Sequence, residues 1–129
     1  MENSSNGLLK FTINGRLDGL NDYTKACRGN AYAGNKMKSR NEVAVRNAIR
    51  VAGLKKVDHY PVTLKINWYE PNKRRDIDNI TFATKFIQDA LVFAGVLVDD
   101  SQKYICKIEH NVFVDKENPR IEVTLDEFA

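Results

Sequence analysis

Between residues 61 and 71 the chain alternates without a fault. Val62, Leu64, Ile66 and Trp68 are interleaved with Thr63, Lys65, Asn67 and Tyr69, with prolines at both ends. Successive side chains of a strand point to opposite faces, so this segment is a half-buried strand whose apolar face demands a cover. A cover follows in residues 80–94. There Phe82, Phe86, Ala90 and Phe93 form one helical stripe, and Ala83, Ile87, Leu91 and Ala94 widen it. Gly95 supplies the stop.

The remaining periodicities extend this pairing of sheet and helix. Residues 8–16 have strand character and end at a glycine turn. Residues 17–35, rich in Gly, Asn and Tyr, read as a long irregular loop of the kind that tends to be functional or mobile. From 36 to 54, Val43, Ala44, Ala48, Ile49 and Ala52 follow helical spacing, with Lys and Arg on the other face. Residues 103–114 and 121–125 read as two last strands. The expected fold is α/β of the α+β type: a mixed β-sheet with two helices packed on it, in the order β-loop-α-β-α-β-β. At 129 residues, one domain spanning 1–129 is the expectation.

Composition excludes several classes. A hydrophobic fraction of 43% beside 29% charged residues is that of a soluble globular chain. The stretch 1–7 lacks the plan of a signal peptide, and no apolar run is long enough to cross a bilayer. Cys27 and Cys106 stand far apart in no metal-ligand spacing, which fits a reduced cytoplasmic protein and argues against zinc. Neither His59 nor His110 sits in a motif, and no P-loop, dinucleotide fingerprint or Ser/His/Asp arrangement is present, so no nucleotide cofactor is expected.

Charge is distributed unevenly. Residues 36–75 carry eleven Lys or Arg against three acids, a net of +8, whereas residues 76–129 carry five against eleven, a net of −6. A basic region beside an acidic one admits a polyanion partner, since Lys and Arg at phosphates release condensed counterions. Chance clustering of surface charge accounts for it equally well.

The two regions meet in "NKRRDIDNI", residues 72–80. Asp76 and Asp78 are two apart, and in an extended segment their carboxylates point the same way. Asp99 and Asp100 follow the second helix, and a chain that doubles back could return one of them to the pair. Three converging carboxylates repel unless a cation compensates, and oxygen-only donors suit Mg²⁺ or Mn²⁺. The competing reading is that Asp78 or Asn79 caps the helix and "DDS" is a solvated turn. Lys85, seven positions beyond Asp78, falls near the same helical face. There it could stabilise charge on a phosphoryl group, or simply snorkel to solvent. Arg74 and Arg75 match phosphate geometry with bidentate forks, or form plain salt bridges. Tyr23, Tyr32, Lys25, Arg28, Lys36, Lys38 and Arg40 could grip a nucleic-acid backbone.

Taken together, "RRDIDN", a lysine in the following helix and "DAL…AGVLVDDSQ" resemble the signature of RusA-type Holliday junction resolvases. The resemblance implies a homodimeric endodeoxyribonuclease that binds four-way DNA junctions and nicks two opposed strands with Mg²⁺ or Mn²⁺, in DNA recombination and repair. By position, Asp76, Asp78 and Asp100 match the metal-binding acids, with Asp99 as neighbour, and Arg75 matches a basic residue before the first acid. Lys85 matches the catalytic lysine when counted back from "DAL". Counted forward from "DIDN", that position holds Phe82, as though the helix carried about three extra residues. Lys73, Arg74, Arg75, Arg28, Lys36, Lys38 and Arg40 are the expected DNA contacts. The alternatives are a non-catalytic module for branched or duplex DNA and a metal-dependent nuclease of other specificity.

Overall fold

The computed structural model describes residues 8–127, so the leader-like or non-leader character of residues 1–7 lies outside it. Its elements in chain order are β1 (Leu8–Asn14), α1 (Leu20–Gly29), α2 (Ala31–Ala52), β2 (Val62–Glu70), α3 (Ile77–Thr81), α4 (Thr84–Phe93), β3 (Ile105–Val114) and β4 (Arg120–Glu127). The four strands form one mixed sheet in the order β1-β4-β2-β3. β4 runs antiparallel to both β1 and β2, and β3 runs parallel to β2 at the edge opposite β1. The mixed sheet with helices packed on it is the expected class.

The alternating strand becomes the centre of the core. Val62, Leu64, Ile66 and Trp68 are at most 1% exposed and face Phe86, Ile87 and Leu91 of α4 and Val45 and Ile49 of α2. Burying each such side chain stabilises by about 1.5–3 kcal/mol before the entropy of ordering it is subtracted. On the opposite face, Thr63, Lys65, Asn67 and Tyr69 of β2 and their neighbours on β1, β3 and β4 are half-buried or exposed. That face carries no helix layer among the described residues. Among the described residues no helix is long and apolar enough to cross a membrane.

Two differences from the sequence reading matter for the site. The expected loop 17–35 is largely helical: α1 fills its middle, and α2 begins at Ala31 rather than near residue 36. Two of its glycines, Gly19 and Gly34, are used for close packing. A Cβ on Gly19 would stand 2.6 Å from Asn79 Oδ1, and one on Gly34 would stand 2.6 Å from Cys27 Sγ. Asn30 caps α2 by accepting from the Ala33 N–H at 2.7 Å. The second difference is a break in the expected helix 80–94. At Phe82–Ala83 the bonds tighten to three-residue turns, Lys85 N–H to Phe82 C=O at 3.3 Å and Phe86 N–H to Ala83 C=O at 3.0 Å, which separates α3 from α4.

Candidate functional site

The loop that leaves β2 is held from below. Glu70, the last residue of β2, is 3% exposed and accepts from Arg16 at 3.2 Å and from Arg75 Nε at 3.3 Å. Both terminal nitrogens of Arg75 donate to the Leu17 carbonyl at 3.2 Å. Arg75 therefore spends its guanidinium fork on protein groups, tying the loop to the chain between β1 and α1. Its half-buried head is an anchor for the acids beside it. Lys73 and Arg74 stay exposed.

Asp76 and Asp78 are not on an extended segment. Asp76 is the N-cap residue of α3 and Asp78 lies in its first turn. The helix start brings both carboxylates to one cleft of about 720 Å³, between α3 and the end of β3, which Lys73, Ile77 and Phe113 also line. Capping does not employ Asp76: its side chain makes no cap hydrogen bond, and only its backbone carbonyl accepts, from the Ile80 N–H at 3.1 Å. Asp78 Oδ1 accepts from the adjacent Asn79 N–H at 3.0 Å. Asn79 does not start the helix either. It is buried within α3 and accepts from the Asn21 N–H at 2.9 Å, pinning α1 to the site.

Asp99 and Asp100 go elsewhere. The segment after α4 buries Val96 and Leu97 in the core, at 2% exposure each, and this sets the following acids on the flank of α4. They line a second cleft of about 380 Å³ with Lys85, Asp89, Glu42 and Lys38. Lys85 Nζ lies 3.2 Å from Asp89 and 3.3 Å from Asp100. Its pKa is raised, first by the hydrogen bond to Asp89 and then by the attraction of both carboxylates against some burial. Thus Lys85 keeps company with Asp100, and the break between α3 and α4 falls between the two positions, Phe82 and Lys85, that compete for the family's lysine. Among the described residues no three His, Cys, Asp or Glu side chains form a group that could hold a metal. The expected convergence of Asp76, Asp78 and Asp100 is not assembled among the described residues of the chain.

Asp89 and Glu42 were not singled out from the sequence. For Asp89 the signal existed, since it stands four residues after Lys85 on one helix, the spacing of an ion pair. Glu42, alone among the basic residues of α2, has a raised pKa, chiefly from burial and then from repulsion by Asp89. Of the expected DNA contacts, Arg28 and Lys36 are exposed on α1 and α2. Lys38 lies 3.9 Å from Asp89, and Arg40 bonds Asp18 at 3.0 Å.

No curated protein matches the chain. A family does: the description "Endodeoxyribonuclease RusA" fits residues 13–126, a span that takes in both clefts, all of β2 and β3 and nearly all of β4, with the last two residues of β1. The chain belongs to the RusA endodeoxyribonuclease family.

Proposed function

We propose that the chain is a metal-dependent endodeoxyribonuclease that resolves four-way DNA junctions by paired nicking, acting in the cytoplasm in recombination and repair. Family membership supports a junction-resolving endodeoxyribonuclease in general. The observation that carries the finer reading is the pair Asp76 and Asp78, both exposed to one cleft and Asp76 unused in capping. Two all-oxygen donors side by side fit a hard cation such as Mg²⁺ or Mn²⁺. When bound, such an ion supplies activation of water and neutralisation of phosphate charge.

Asp100 is the third ligand of the proposal, and Lys85 is bonded to it at 3.3 Å. A homodimer would present a second Asp100–Lys85 unit, and two sites suit a junction with two opposed strands. In this arrangement Asp76 and Asp78 would fix the ion, and Lys85 would offset charge developing on the phosphate oxygens. Lys73 and Arg74 would hold the flanking backbone, while Arg75 keeps the acid-bearing loop rigid.

A second reading, a non-catalytic module for branched DNA, is favoured by the absence of a three-acid group among the described residues. One experiment separates them. The protein is incubated with a synthetic four-way junction and Mg²⁺ or Mn²⁺, with EDTA, linear duplex and Asp76→Asn as controls. The nuclease reading expects symmetric nicks near the branch point that vanish with EDTA and with Asp76→Asn. Tight binding without any metal-dependent cleavage would leave only the module, and equal cleavage of linear duplex would remove the junction specificity.

A further inference from the structure

Three side chains form a pile across the sheet face that no helix covers among the described residues. Register sets Arg120 of β4, Tyr69 of β2 and Phe113 of β3 in one row. The Arg120 guanidinium lies 3.8 Å from the Tyr69 ring centroid, and the Tyr69 and Phe113 rings are stacked with centroids 5.0 Å apart and planes 25° apart. Arg120 is itself held in place by Asp115 at 2.8 Å and Glu122 at 2.9 Å. The pile is thus ordered before any ligand arrives.

Its last member is unfinished. One face of Phe113 is covered by Tyr69, and the other looks outward past β3, one of the two edge strands of the sheet. Phe113 is 44% exposed and lines the cleft that holds Asp76 and Asp78. An aromatic face open beside candidate phosphate-binding groups matches what an unstacked nucleobase requires, because every base has a π-face and its own phosphate lies within a nucleotide's length. A dry protein interface is a poorer fit, since Lys73, Asp76 and Asp78 at the same cleft would have to be stripped of water.

We propose that Phe113 is a stacking site for one unpaired base, released at the branch point of the DNA and laid on the open end of the Arg120–Tyr69–Phe113 pile. This rests on the reading that the Asp76–Asp78 cleft receives DNA, and it names the part of the substrate that enters beside the acids. Phe113 is a positioning residue. It holds the base while the neighbouring phosphate sits at the carboxylates.

The test uses a four-way junction with 2-aminopurine at the branch point, titrated with protein in EDTA, and cleavage of the same junction is measured in parallel with Mg²⁺. Wild type is expected to raise 2-aminopurine emission several-fold. Phe113→Ala should abolish that rise and weaken binding by about tenfold or more, the scale of one lost base–aromatic stack. Phe113→Trp should restore binding, and its added indole emission should be quenched by DNA, whereas the buried Trp68 provides a constant background. Thermal melts check the fold, and sedimentation checks the assembly state.

An unchanged rise and affinity in Phe113→Ala overturn the proposal, and if that variant still cleaves, the nuclease reading survives alone. A Phe113-dependent rise without cleavage by wild type leaves the stacking site standing and removes the nuclease. Loss of binding that tracks a fall in sedimenting mass overturns stacking and makes the β3 edge an interface between copies.

Discussion

Lys85 donates to Asp100 across 3.3 Å while the same ammonium lies 3.2 Å from Asp89, one turn further along α4. The lysine and the acid expected to act together in catalysis are therefore bonded to each other, away from the Asp76–Asp78 cleft. Since the Lys85 side chain is 58% exposed, this pair stabilises the fold little, by less than about 1 kcal/mol. Lys85→Met is expected to abolish junction cleavage while shifting the urea midpoint only slightly. A large loss of stability with cleavage retained would mark the lysine as structural.

Asp76 and Asp78 make the complementary case. Neither carboxylate is spent on capping α3 beyond the local bond from Asn79, so removing their charge leaves the helix start intact. Asp76→Asn and Asp78→Asn are expected to lower cleavage by about a hundredfold or more, the scale for losing a group that stabilises transition-state charge. Melting temperatures should hold or rise slightly as repulsion between the acids falls. Isothermal titration with Mn²⁺ reads the same change without DNA, as loss of a binding event.

Arg75 is expected to behave as a stability residue. Its fork joins the buried Glu70 to the Leu17 carbonyl, so Arg75→Ala leaves a buried carboxylate with Arg16 as its remaining partner. The expected cost is about 2 kcal/mol in urea unfolding. Arg74→Ala, by contrast, should leave stability unchanged and weaken junction binding in a salt-dependent way.

Gly19 tests whether α1 is locked to the site. An alanine Cβ there would meet Asn79 Oδ1 at 2.6 Å and the Asn79 carbonyl oxygen at 2.8 Å. Since backbone cannot yield as a side-chain tip does, Gly19→Ala is expected to destabilise by about 1–3 kcal/mol. Hydrogen exchange should show the loss in α1 and α3 first.

Glu42 carries the pH dependence of the second cleft. Burial, then Asp89, raises its pKa in the folded state, so the fold prefers the protonated acid. Folding then binds protons more tightly, and this group's contribution falls as pH rises from the unfolded carboxylate range through the raised folded value. Glu42→Gln removes the effect. Chemical unfolding at pH 4 and pH 7 should show the variant gaining relative to wild type at pH 7, and an equal difference at both would refute the assignment.

Periodicity carries information where one face of an element is buried, and that condition decided what was legible. The strict alternation of residues 62–69 and the doubled stripe of residues 80–94 identified a strand and a helix in mutual contact, and both stand in the core. α1 was hard to read because none of its residues is buried and its one weakly apolar face, Leu20, Tyr23 and Cys27, stands among polar residues. Bonds to Asn79 and Asn30, which lie outside it in sequence, hold its two ends.

The residue types of the site, two acids after a basic triplet and two more after a helix, were determined by sequence alone. So was the likeness that the family match bears out over residues 13–126. Their grouping was decided by the tertiary structure. The tight turn at Phe82–Ala83 separates α4 from α3, and burial of Val96 and Leu97 holds the segment that precedes Asp99 and Asp100 against the core. Asp100 therefore meets Lys85 instead of Asp76. Spacing along a chain does not encode that partition, because it depends on which apolar side chains fill the core between the two acidic ends.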